Sequence, residues 1–144
     1  MQNPPPVQVS SQPPVQAGKS STGLDENVAA LLSYIFNWVS GLIFFLIEKD
    51  SRLVRFHAMQ SILLSAGAII LGIVLWVAWV VIAIILAMMS DVLASIGGLL
   101  IGLVILVFYV AILAAWIMCL IKAYQGQYFK LPVIGNFAEK FSQK

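Results

Sequence analysis

A chain of 144 residues with 61% apolar side chains and only 10% charged ones has too little polar surface to solvate a globule of its size, which excludes an ordinary soluble domain. Its formal net charge of +2 is too small to hold nucleic acid by neutralising phosphates. The single cysteine, Cys119, excludes an intrachain disulfide. Its place inside an apolar run marks it as a small packing residue, since apolar surroundings keep a thiol protonated and unreactive.

Residues 1–23 are rich in Pro, Gln, Ser and Val. Pro4 to Pro6 and Pro13 to Pro14 forbid a regular helix there, and no residue is large enough to build a core. A disordered tail is expected, either simply solvated or read by a partner as polyproline helix. No basic start followed by an apolar run precedes Asp25. The tail therefore does not have the pattern of a secretory leader and is expected to be retained.

Residues 24–144 read as one helical membrane domain, with spans over about 27–47, 57–89 and 92–122. At about 1.5 Å per residue, roughly 20 residues cross a hydrocarbon layer about 30 Å thick. The first segment opens on Asp25 and Glu26, which suit the positive end of a helix dipole. Ser33, Tyr34, Asn37 and Ser40 follow at spacings of three and four and define one face of a continuous helix. Asn37, near mid-depth, is expected to hydrogen-bond to a neighbouring helix. A second reading breaks this segment between Asn37 and Gly41 and folds it as a re-entrant hairpin. Arms of about ten residues fall short of the roughly twenty a span needs, which favours the continuous helix.

The second segment is longer than a bilayer requires, so its first turns, with His57, Gln60, Ser61 and Ser65, are expected to project into the headgroup region. Ser90 and Asp91 mark an aqueous turn. In the third segment Gly98 and Gly102 form a G-x-x-x-G pair, and Ala111 with Ala115 a second small pair about half a turn away. Both are expected to be packing contacts. Beyond it the chain turns amphipathic over 132–142. Pro132 is placed to start a helix in which Val133, Ile134, Phe137 and Phe141 share one side and lie in the membrane interface, with Tyr124, Tyr128 and Phe129 at headgroup level.

The fold class is thus an all-α membrane protein of three transmembrane helices plus a C-terminal interfacial amphipathic helix. Cations lie in the first loop (Lys49, Arg52, Arg55) and after the third helix (Lys122, Lys130), with none between Ser90 and Gly98. The first loop and C-terminus are therefore expected in the cytoplasm, at a prokaryotic plasma membrane, and three full spans would put the N-terminal tail outside. Ser51 is a plausible cap, and Arg52 and Arg55 are expected to project together. Lys49, Arg52, Arg55, His57 and Gln60 form a candidate docking or anionic-lipid face.

One His, one Cys and scattered carboxylates supply no zinc cluster, nucleophile–base set or phosphate loop, so no catalytic, metal or cofactor site is expected. No span carries a deep Asp, Glu, Lys or Arg, which disfavours ion-coupled transport.

Leu46-Ile47-Glu48-Lys49, Val54-Arg55-Phe56-His57-Ala58-Met59-Gln60-Ser61, Ala123-Tyr124-Gln125-Gly126 and Leu131-Pro132-Val133-Ile134-Gly135 carry a likeness. Over about Glu26 to Lys140 the chain resembles a family of small prokaryotic membrane proteins of uncharacterised function. That family is described as similar to the twenty-kilodalton subunit of the translocon at the inner chloroplast envelope. The resemblance implies a place in a protein-conducting complex, although the plastid relatives are drawn with four spans. The residues themselves favour a non-enzymatic subunit or scaffold of a membrane assembly, contacting lipid and membrane-protein partners or further copies of itself. A pore or translocation component is the alternative, and a membrane enzyme using His57 with Asp50 or Glu48 is a third class.

Overall fold

The computed structural model describes residues 18–142. The expected disordered tail, 1–23, lies outside them as far as residue 17; residues 18–23 are instead tied into the fold, Lys19 bridging to Asp25 and Ser21 bonding to Glu48. Five helices follow in order: α1 (Glu26–Leu32), α2 (Trp38–Ile47), α3 (Arg52–Met89), α4 (Asp91–Tyr124) and α5 (Ile134–Ser142). Among the described residues the one extended pairing is an isolated bridge between Lys19 and Asp25.

α3 and α4 are each long and apolar enough to cross a membrane. Their 38 and 34 residues correspond to about 57 and 51 Å, well beyond a hydrocarbon layer of about 30 Å. Ser90 alone joins them. Its extended backbone breaks the helix, and its hydroxyl accepts from Val92 N–H at 3.2 Å to start the next. A Cβ at Gly97 would meet the far end of the Leu86 side chain, so Gly97 faces α3, whereas the expected pair Gly98 and Gly102 faces open space.

The expected first span is corrected: it is a hairpin, not one helix. α1 has seven residues and α2 ten. Between them Tyr34, Ile35 and Asn37 donate three residues back, to Leu31, Leu32 and Tyr34 carbonyls, and Asn37 sits at φ 51° and ψ −127°, a positive-φ conformation outside the left-handed helical well that few side-chain-bearing residues adopt. The hydroxyls that read as one polar helix face instead compete with the helix ladder. Ser33 Oγ donates to Ala30 O at 2.6 Å, and Ser40 Oγ donates to Ser33 O at 2.9 Å while accepting Phe36 N–H at 3.0 Å.

The two ends of the segment meet. Ser21 N–H donates to both Glu48 carboxylate oxygens, at 3.0 and 3.1 Å, whereas a straight helix over 27–47 would hold its ends about 30 Å apart. At the apex Asn37 pairs with α3 through its backbone carbonyl, which accepts from Ser61 Oγ at 2.9 Å; the expected side-chain bond is replaced. Ser61 lies nine residues along α3 from Arg52, so the apex reaches only about 14 Å below that level.

The core sits at this same end. Ala29, Ala30 and Tyr34 of the hairpin pack with Leu53 and Val54 of α3 and with Cys119 and Ala123 of α4. A side chain at Gly41 would stand 2.9 Å from Ala58 O, so α2 lies almost backbone to backbone on α3. Beyond Leu64, α3 carries no buried residue, and α4 buries only Cys119 and Ala123. Their remaining faces are exposed Ile, Leu, Val and Trp, surfaces suited to lipid.

α5 begins at Ile134, two residues past the expected Pro132 start. Val133 takes φ 67°, a strained value for a β-branched residue, and Gly135 N–H closes the turn on Leu131 O at 2.8 Å. Gly135, Ala138 and Ser142 are its buried side, while Phe137 and Phe141 face outward.

Candidate functional site

Among the described residues, most polar side chains outside the Ser90–Ser95 turn gather into a head at the start of α3 and the end of α4. Its outer layer is built on Glu48, whose carboxylate is fully shielded. Besides Ser21 N–H it accepts Ser21 Oγ at 2.8 Å, Asp50 N–H at 3.0 Å and Ser51 N–H at 2.8 Å. Burial pushes this carboxyl up, but the bonds from Ser51, Ser21 and Asp50 outweigh it and hold the group below its ordinary range. Ser21 Oγ also reaches Asp50 Oδ2 at 2.7 Å, tying the segment before α1 to the loop after α2. Ser51 caps α3 as expected, accepting Val54 N–H.

The inner layer is formed by His57 and Gln60, one turn apart on α3 and both without exposed surface. Residues 127–131, outside any helix or strand, pass beside them and present two carbonyls. Gln127 O takes His57 Nε2–H at 3.1 Å, and Phe129 O takes Gln60 Nε2–H at 3.0 Å. With Nε2 protonated, Nδ1 is the acceptor for Tyr34 O–H at 3.2 Å. The imidazole thereby bridges the hairpin and the segment after α4 with both nitrogens engaged. Gln60 Nε2 also lies 3.2 Å from Cys119 Sγ, while its Oε1 is buried without a partner among the described residues. Trp116 Nε1–H donates to Tyr34 O at 3.1 Å, and Phe56 meets His57 and Tyr128 edge to face.

The five residues read as one docking face are divided by the fold. Lys49 and Arg52 are exposed, and His57 and Gln60 are interior. Arg55 does not project beside Arg52: its guanidinium lies 4.9 Å over the Phe45 ring and donates to Glu48 O at 3.0 Å. Of the expected packing residues, Gly98 and Gly102 face open space, Ala111 is exposed and Ala115 half-buried. Of the network residues, Tyr34 belonged to the expected polar face, whereas Trp116 had no separate signal, since an aromatic in a membrane segment looks like any other apolar residue. Ser21 lay in a stretch read as tail. Among the described residues no group of three or more His, Cys, Asp or Glu side chains could hold a metal ion.

A family model described as the magnetosome magnetite crystal formation protein family matches residues 24–138. The chain belongs to that family. It is 43% identical over 126 residues to a UPF0132 membrane protein of Methanocaldococcus jannaschii, covering 88% of this chain and 96% of the relative. A second protein of that name from the same organism is 35% identical over 123 residues, 83% of this chain and 71% of the relative. One from Archaeoglobus fulgidus is 39% identical over 117 residues, covering 81% and 95%. No solved structure matches. The chain is thus a small prokaryotic-type membrane protein of a family without an assigned activity, and the family match, like the expected likeness, leaves out the Pro-rich tail.

Proposed function

We propose that this protein is a non-enzymatic subunit or scaffold of a membrane assembly, held by α3 and α4 and working through its hydrogen-bonded head. The observation that carries the reading is the asymmetry of the molecule. Three separate polar segments (18–25, 48–51 and 125–133) are tied together at one end, whereas the other end is a one-residue turn. The cations Lys19, Lys49, Arg52, Arg55, Lys122 and Lys130 belong to the head, so the positive-inside bias directs it to the cytoplasm. With the first segment folded back, residues 18–25 lie on the same side. The magnetite description belongs to the family, and the scaffold reading rests on the architecture of this chain and not on that description.

The test is affinity purification in mild detergent with mass spectrometry, alongside labelling of single cysteines in a Cys119→Ser background. Stoichiometric partners are expected, with Ser90→Cys labelled from outside intact cells and Lys49→Cys not. Recovery of the protein alone, or the reverse labelling, refutes the reading. A pore or translocation component, the role implied by the translocon likeness, is the second reading. It is favoured by the open face at Gly98 and Gly102, where further copies would pack to enclose a path. Conductance or peptide flux from the purified protein in liposomes would select it.

A further inference from the structure

We infer that the cleft between the first turn of α3 and α5 binds the phosphate of an anionic phospholipid headgroup. The cleft measures about 400 Å³ and is lined by Arg52, Tyr128, Lys130, Glu139 and Ser142. Its two cations come from different elements, α3 and the segment after α4. Arg52 makes no hydrogen bond or ion pair among the described residues, in contrast to Arg55, which is engaged by Glu48 O and Phe45. A guanidinium with all its donors available at the rim of a cleft is matched to two phosphate oxygens. Across the cleft Lys130 Nζ donates to Glu139 Oε2 at 2.8 Å, with both side chains nearly half exposed. A surface pair of that kind exchanges readily for a competing anion. Ser142 Oγ donates to Glu139 O at 2.8 Å and keeps lone pairs for a headgroup hydroxyl.

The position selects a lipid rather than a soluble phosphate. α5 forms one wall of the cleft and turns Phe137 and Phe141 outward, apolar surface fit to lie among lipid at the interface. The cleft stands at the Arg52 level of α3, about 14 Å above the hairpin apex, at the polar end of the molecule. The inference rests on the reading that this head lies on the membrane surface.

Native mass spectrometry of the full chain, titrated with phosphatidylglycerol or phosphatidylcholine, tests it. Phosphatidylglycerol should bind with a defined stoichiometry, and phosphatidylcholine should bind more weakly. Arg52→Gln and Lys130→Gln should each weaken phosphatidylglycerol binding roughly five-fold, while Lys122→Gln, which removes the same charge from this end but outside the cleft, should not. Glu139→Gln should strengthen binding because it releases Lys130, and this arm stands even if Arg52→Gln folds poorly. An equal loss in Lys122→Gln, weaker binding in Glu139→Gln, or displacement of the lipid by inorganic phosphate overturns the assignment. Partner recovery is scored separately, so failure of the scaffold reading with lipid binding intact, or the converse, is distinguishable.

Discussion

Replacing Glu48 by alanine tests whether one carboxylate closes the hairpin. The side chain accepts from three backbone N–H groups, of Ser21, Asp50 and Ser51, and from one hydroxyl. Ser51 is 2% exposed, so its N–H is left without water, a loss of about 1–3 kcal/mol. Ser21 and Asp50 are exposed, and solvent can take over most of their bonds. Asp50 N–H also keeps Ser21 Oγ at 3.2 Å. Relief of the carboxylate's own burial offsets part of the damage. The expected destabilisation is about 1–3 kcal/mol at neutral pH, mostly from Ser51. Reversible unfolding in mixed micelles with increasing sodium dodecyl sulfate would measure it.

The pH dependence of the same experiment has a fixed sign. Folding lowers the carboxyl's pKa from its ordinary 4.5, so the folded state binds that proton less readily than the unfolded chain. The contribution is complete above that ordinary value and is lost as pH falls through the lower folded one. The gap between wild type and Glu48→Ala should therefore narrow on acidification below about pH 4.5. A variant within about 0.5 kcal/mol of wild type at pH 7, or a gap that widens in acid, refutes the carboxylate as the clasp.

Cysteines at Ser21 and Asp50 in a Cys119→Ser background should crosslink, because their side-chain oxygens lie 2.7 Å apart; a continuous first span would separate them by about 30 Å and give none. Gly41→Leu should destabilise by at least the roughly 1–3 kcal/mol of an overpacked contact, since its Cβ would meet Ala58 O at 2.9 Å. Gly102→Leu, with nothing within 4 Å, should change monomer stability by less than about 0.5 kcal/mol, read in the same unfolding assay. Trp116→Phe removes the donor to Tyr34 O at 3.1 Å and should cost about 1 kcal/mol, with Tyr34→Phe leaving that particular bond intact.

Membrane character, the two long helices and the polar start of α3 were legible in the chain because each depends on quantities a sequence carries directly. These are the length of an apolar run, the absence of charge within it, and a capping serine one position before it. The extent of the homologous region was legible for a related reason, since composition changes sharply where the Pro-rich tail ends. What the sequence left open was the path of residues 27–47. Their apolar content suits a span, and Ser33, Asn37 and Ser40 satisfy a helical period. The same hydroxyls and amide can also unwind the helix, and which outcome prevails depends on whether α3 offers partners at the break. Ser61 for the Asn37 carbonyl and Ala58 against Gly41 are contacts across twenty or so residues that no local pattern encodes. The candidate face was divided for the same reason. Arg52 and Arg55 are equivalent in sequence, yet the returning α2 presents Phe45 and Glu48 O to Arg55 alone. His57 and Gln60 became interior residues because the segment after α4 supplies two carbonyls at their spacing. Those decisions belong to tertiary structure, where a polar group's role is set by which donors and acceptors the rest of the chain brings within 3 Å of it.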